Sequence, residues 1–121
     1  MKNYEQIRAA NAFDAATNPE NDFAGEDKGK SIAKKVPTQI RENGFLGALA
    51  FAIESKSGYQ TVFKAIMKHL PSVNCDFGIN CDGSLESFFI ELTQKDSDVL
   101  RAVTEESMAY LNYLRRFAKG S

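Results

Sequence analysis

Several clusters of residues in this 121-residue chain have types and spacings that could do chemistry. Ala24 to Ser31 reads A-x4-G-K-S, the relaxed form of a loop in which backbone amides and a lysine cradle phosphates. A working loop of that kind follows a buried strand and opens a helix, whereas Thr17 to Phe23 is polar, and Glu26 and Asp27 would repel phosphate. A nucleotide hydrolase built on Lys30 and Ser31 is therefore disfavoured. Asp76-Phe77-Gly78 spells a kinase metal-binding triplet, but without the glycine-rich strand loop and catalytic-loop motif that accompany it. Aligned on Gly83, a calcium loop would use Asn80 and Asp82, yet Gly78 and Phe89 occupy its outer ligand positions.

Cys75 and Cys81 are separated by five residues, against the two to four usual for zinc, so with His69 they make a poor metal set. Reduced thiols are the expectation. His69, the single histidine, is expected near a helix C-terminus, where a cation is favoured. Glu105 and Glu106 are adjacent on a helix and diverge by about 100°, which predicts solvated carboxylates rather than an acid–base pair. The sequence offers no catalytic residues, no metal ligands and no cofactor site, and the chain is read as not an enzyme.

What remains is charge. The net charge is −1, but residues 28–70 hold eight Lys or Arg against Glu42 and Glu54, and the rest of the chain holds seven basic against fourteen acidic residues. Lys28, Lys30, Lys34, Lys35, Arg41, Lys56, Lys64 and Lys68 are either ordinary solvated faces or a stripe that follows a phosphate backbone, where several modest lysine contacts add up through ion release. Both readings stand at this point.

The elements that must position these residues are helical. Asn3 with Gln6 reads as a capping box, followed by Tyr4, Ile7, Ala10 and Phe13 at near-helical spacing to about Ala16. Thr17 to Asp27 is a breaker-rich loop. Lys28 to Lys35 predicts a short helix that stops near Val36, because the residue before Pro37 is disfavoured in helical geometry. Pro37 then suits the first turn of a helix over Thr38 to Asn43, which ends at Gly44. Phe45, Leu46, Leu49, Ala50 and Ile53 form the next apolar stripe, with Gly47 and Ala48 permitting close approach by a neighbour. Ser57 and Gln60 signal another cap, and Tyr59, Val62, Phe63, Ile66, Met67 and Leu70 fall on one arc of about 140°, with Lys64 and Lys68 opposite.

Pro71 is expected to close that helix, leaving a loop to Gly83, and Leu85, Phe88, Phe89 and Leu92 mark a short helix. Asp96 can cap the last one. There Leu100, Val103, Ser107, Tyr110, Leu114 and Phe117 make a core-facing seam, and Arg101, Asn112, Arg115, Arg116 and Lys119 lie on the far side with Glu105. No segment alternates as a strand would. The expected fold is all-α: one compact domain over residues 1–121, a bundle of about six or seven helices, with loops at 17–27 and 71–83. Hydrophobic residues at 43% and charged residues at 26% suit a soluble globular protein. The longest apolar run, Phe45 to Ile53, is too short for a membrane span, and the first residues lack a signal-peptide core, so a cytoplasmic location is expected.

Ala33-Lys34-Lys35-Val36-Pro37, Ile40-Arg41-Glu42-Asn43-Gly44 and Leu49-Ala50-Phe51, together with Leu100-Arg101, Thr104-Glu105 and Tyr110 to Ala118, carry a resemblance. From about Lys28 onward the chain resembles the small α-helical subunit of the type III-B CRISPR Cmr effector complex. Tyr113 stands where that family often has Trp. The resemblance implies a non-catalytic subunit of an RNA-guided, RNA-targeting assembly in antiviral defence, stacking with copies of itself beside the backbone and large subunits. It also implies a basic surface facing guide RNA and target RNA. Lys34, Lys35, Arg41, Arg101, Arg115 and Arg116 fall within the matching motifs, and Lys56, Lys64 and Lys68 are carried less directly. The alternative is a helical adaptor with protein partners only and no nucleic-acid contact.

Overall fold

In a computed structural model, the described residues are 3–18, 27–55, 58–73 and 83–117. They form five helices in the order α1 (Tyr4–Thr17), α2 (Asp27–Ser55), α3 (Gly58–Val73), α4 (Leu85–Gln94) and α5 (Ser97–Phe117), and among them there is no strand. The all-α expectation holds, but the helices number five rather than six or seven. Two expected boundaries, at Val36-Pro37 and at Gly44, fall inside α2 and account for the difference.

The first is at Val36-Pro37, where α2 runs straight through. Proline removes one helical hydrogen bond and crowds the carbonyl four residues back, but Val36, Pro37 and Ile40 are all buried. Core packing overrides the local preference. Pro71, expected to close its helix, lies inside α3 and leaves the count unchanged. The helix continues to Val73, which is buried. The break expected at Gly44 is present as a kink, with φ 82° and ψ 163°, so that α2 consists of two helical runs, 27–43 and 45–55. That conformation is essentially restricted to glycine.

Helix starts follow the sequence closely. Asn3 Oδ1 accepts from the Gln6 amide and Gln6 Oε1 accepts from the Asn3 amide, both at 2.9 Å, the reciprocal cap that satisfies two otherwise orphaned donors. Ser84 caps α4, its hydroxyl accepting from the Ser87 amide at 3.1 Å. Asp96 precedes α5, and its carbonyl accepts from the amides of Val99 and Leu100. Ser57 lies outside the described residues, while Gln60 Nε2 donates 3.1 Å to the carbonyl of Ile53 and so ties α3 to the end of α2.

Helix α2 packs against α3, α4 and α5, and α1 lies along α5 and touches α3. The core is joined through Phe45, whose ring meets Phe63 at 5.5 Å and Phe88 at 6.2 Å, both edge-on, the arrangement favoured by the ring quadrupole. The arc predicted for α3 is the buried one: Val62, Phe63, Ile66, Met67 and Leu70 are enclosed, and Lys64 and Lys68 are exposed. On α5, Val103, Ser107, Tyr110 and Leu114 are buried as the seam requires.

Helix α1 departs from its pattern. Its buried residues are Ala12 and Ala16, while Tyr4 and Phe13 are 50% and 54% exposed. The stripe of Tyr4, Ile7, Ala10 and Phe13 is not the face turned to the core. Small alanines let α1 approach its neighbours closely, and the larger apolar side chains are left toward the outside.

Replacing Gly44 by alanine isolates the cost of the kink, because a Cβ there meets nothing within 4 Å. Gly44→Ala is expected to lower unfolding stability by about 1–3 kcal/mol through backbone strain alone, measured by urea denaturation. An unchanged midpoint would mean that α2 straightens at no cost.

Candidate functional site

Among the described residues one carboxylate is buried. Glu106 lies between Val103 and Tyr110 on the buried side of α5 and is 8% exposed, contrary to the solvated pair expected of Glu105 and Glu106. Glu105 alone is exposed. A bare buried carboxylate is costly, and this one is held by three donors. Arg8 of α1 approaches as a fork, Nη2 to Oε1 and Nε to Oε2, both at 2.7 Å. His69 of α3 contacts Oε2 through Nε2 at 2.9 Å.

The other His69 nitrogen, Nδ1, accepts from the Asn11 side-chain amide at 2.9 Å. The ring proton is therefore on Nε2, donated to Glu106. Tyr110 stacks on the imidazole with centroids 4.3 Å apart and planes 17° apart. Burial lowers the His69 pKa and outweighs the raising effect of the hydrogen bond and charge of Glu106. His69 does lie near the end of α3, but as a buried neutral ring rather than a helix-end cation. With both nitrogens engaged it offers no lone pair to a metal, and Cys75 and Cys81 lie outside the described residues. Burial acts to raise Glu106, yet the hydrogen bonds from Arg8 and His69 bring its pKa below the usual carboxylate value.

Beside this cluster, α1 and α3 border a cleft of about 510 Å³ lined by Asn11, Asp14, Lys64, Lys68, Ser72 and Tyr110, with His69 and neighbouring residues. Lys64 and Lys68 stand one helical turn apart and are thus brought together at one opening. Lys34, Lys35, Arg41, Arg101, Arg115 and Arg116 are also exposed. Arg41 Nη2 donates to Thr38 Oγ1 and Arg115 Nη2 to Asn112 Oδ1, each at 3.3 Å. Among the described residues the ion pair is Arg8–Glu106, with the neutral His69 ring hydrogen-bonded to the same carboxylate, so none of these eight cations is matched to a carboxylate. No hydrogen bond or ion pair links the α2, α3 and α5 cations to one another. Lys56 lies outside the described residues, as does Lys119, and of Lys28 and Lys30 only the helical backbone is described.

The polar cluster joining α1, α3 and α5 was missed in the sequence because its members are far apart: Arg8 and Glu106 are 98 residues from each other. A signal was present. Glu106 is three residues after Val103 and four before Tyr110, and His69 is three after Ile66, so both occupy positions a helix gives to its core.

Because His69 is the only histidine, the pH dependence of stability near neutrality reports on it. Its folded pKa lies below the ordinary 6.5, so the unfolded chain binds more protons there and stability rises with pH. Its contribution is complete above 6.5 and is lost as pH falls toward the folded value; Glu106 adds a further loss below 4.5. Urea titrations from neutral to mildly acidic pH should show stability falling by at most about 1.4 kcal/mol per pH unit, with this step absent in His69→Gln. A profile identical in the two proteins would contradict the buried neutral histidine.

No helix among the described residues is long and apolar enough to cross a membrane. No curated protein and no solved structure matches the chain. The sequence model of the family described as CRISPR-associated protein Cas_Cmr5 matches residues 4–121, which covers α1 through α5. The chain therefore belongs to the Cas_Cmr5 family and is a small Cmr-type CRISPR subunit of type III-B.

Proposed function

We propose that this Cmr subunit is a non-catalytic, structural component that contacts guide or target RNA through its exposed cations while docking beside other Cmr subunits and copies of itself. The observation that supports RNA contact is the set of eight exposed basic side chains, Lys34, Lys35, Arg41, Lys64, Lys68, Arg101, Arg115 and Arg116, without carboxylate partners among the described residues. Such charges retain their full attraction for a phosphate backbone, whereas lysines already paired on their own surface would lose much of it. Contacts of this kind position an RNA without reading its sequence, which suits an assembly whose specificity comes from guide pairing. The affinity of the free subunit for RNA is expected to be weak, because assembly supplies the avidity.

The protein-only adaptor has its own supporting observation. Tyr4, Phe13, Phe51 and Ile90 are each about half exposed, and on α1 the Phe13 ring packs edge-on against Phe117 of α5 at 5.4 Å. Exposed aromatic area of this sort suits subunit contact. It is compatible with RNA contact elsewhere on the molecule, so the two readings differ only in what the cations do.

Changing Lys34, Lys35 and Arg41 to glutamate in the assembled Cmr complex separates them. If these side chains meet phosphates, target RNA capture weakens and the slope of log affinity against log salt falls by about 2, at roughly 0.7 per single-strand phosphate contact. An intact complex with an unchanged slope would assign these cations to solvation and favour the adaptor.

A further inference from the structure

The α1–α3 cleft has chemistry that a convex basic face lacks. Lys64 and Lys68 supply two cations one turn apart at its opening, neither paired with a carboxylate among the described residues. Tyr110 lies within it, and the tyrosine as a whole is only 1% exposed. Its hydroxyl makes no hydrogen bond among the described residues. A buried tyrosine ordinarily finds a partner for its O–H, and Tyr110 is one of the residues that line the cleft. Asn11 spends its amide nitrogen on His69, leaving Oδ1 as an acceptor, and Asp14 adds a carboxylate to the same lining. The apolar part of the wall comes from Ala15 and Ala65.

Two exposed cations, a tyrosine hydroxyl without a hydrogen bond among the described residues and two acceptors on the α1 side fit a ligand with an anionic end and a hydrogen-bond-donating body. A bare phosphate would use the lysines and leave Tyr110, Asn11 and Asp14 idle, with Asp14 opposing it. A ribonucleotide uses all of them: its phosphate meets Lys64 and Lys68, and its hydroxyl or exocyclic amine donors meet Asn11 Oδ1 and Asp14. The volume, about 510 Å³, falls in the range of about 300–1,000 Å³ typical of small-molecule sites. We infer that the α1–α3 cleft binds a single ribonucleoside monophosphate unit, either free or as one unstacked nucleotide of an RNA chain. The second source rests on the RNA-contact reading above; the cleft itself does not.

His69 provides the readout, since the only imidazole in the chain forms part of the cleft lining. The full chain is titrated at neutral pH with AMP, CMP, GMP and UMP, and separately with inorganic phosphate, while the His69 ring resonances are followed by NMR. A saturable shift is expected with at least one mononucleotide and a much weaker one with phosphate. Lys64→Ala with Lys68→Ala should weaken that binding by about tenfold or more, and Tyr110→Phe by about threefold to tenfold. Both changes are mild enough to leave the fold, which the unshifted spectrum of the free variants verifies. Competition by a short single-stranded RNA assigns the unit to a chain; its absence assigns it to a free nucleotide. No saturable shift, an equal response to phosphate alone, or binding unaltered in the variants would overturn the cleft as a nucleotide site. Normal salt-dependent RNA capture by the assembled complex alongside such a failure would leave the RNA-contact reading intact.

Discussion

A single buried carboxylate governs how this bundle closes. Glu106 is taken out of water on α5 and is tolerable there only because Arg8 grips both of its oxygens and His69 donates to one of them. Removing an ion from water costs several kcal/mol, and the cost is recovered only when geometry and hydrogen bonding are both good. Here both are, at 2.7 to 2.9 Å for all three contacts. The donors come from two other helices, so the condition for burying Glu106 is that α1 and α3 sit in one register against α5. Apolar contacts slide with little penalty; a forked guanidinium–carboxylate pair does not.

This explains why α1 is turned as it is. Two alanines on its buried side provide little apolar area, and its buried polar links to the bundle run through Arg8 and Asn11, with the Phe13–Phe117 ring contact and a Tyr113 hydroxyl donating 3.0 Å to Glu5 nearer the surface. The polar cluster, more than hydrophobic burial, fixes the rotation of the helix. Its larger apolar side chains, Tyr4 and Phe13, are consequently half exposed, and the gap between α1 and α3 remains as a cleft with Lys64 and Lys68 at its opening. One interaction thus leaves both a half-exposed apolar face on α1 and a cleft bordered by two lysines. Membership of the Cas_Cmr5 family places the chain among the subunits of a Cmr assembly.

Local rules were legible in the sequence wherever the structure obeys them. The Asn3–Gln6 box, the buried arc of α3, the seam of α5 and the interruption at Gly44 each depend on residues within a few turns of one another. Pro37 and Pro71 misled because burial of Val36, Ile40 and Val73 decided those positions, and burial is a property of the whole chain. The stripe on α1 misled for a related reason: periodicity identifies an apolar face but not whether the core or another molecule covers it. The site was least legible. Arg8, His69 and Glu106 are ordinary polar residues one at a time, and only the fold makes them a unit. The exposed cations were read correctly as exposed, since Lys64 and Lys68 lie opposite the arc that α3 buries.

The directness of the Arg8–Glu106 link is open to measurement by a double-mutant cycle on urea stability, using Arg8→Ala, Glu106→Gln, the double variant and the parent. If the forked contact is what seats α1, the two changes are strongly non-additive, with a coupling energy of about 1.5–3 kcal/mol. Additivity within about 0.5 kcal/mol would mean that α1 is held by other contacts, and the account of its rotation, its outer face and its cleft would have to be abandoned.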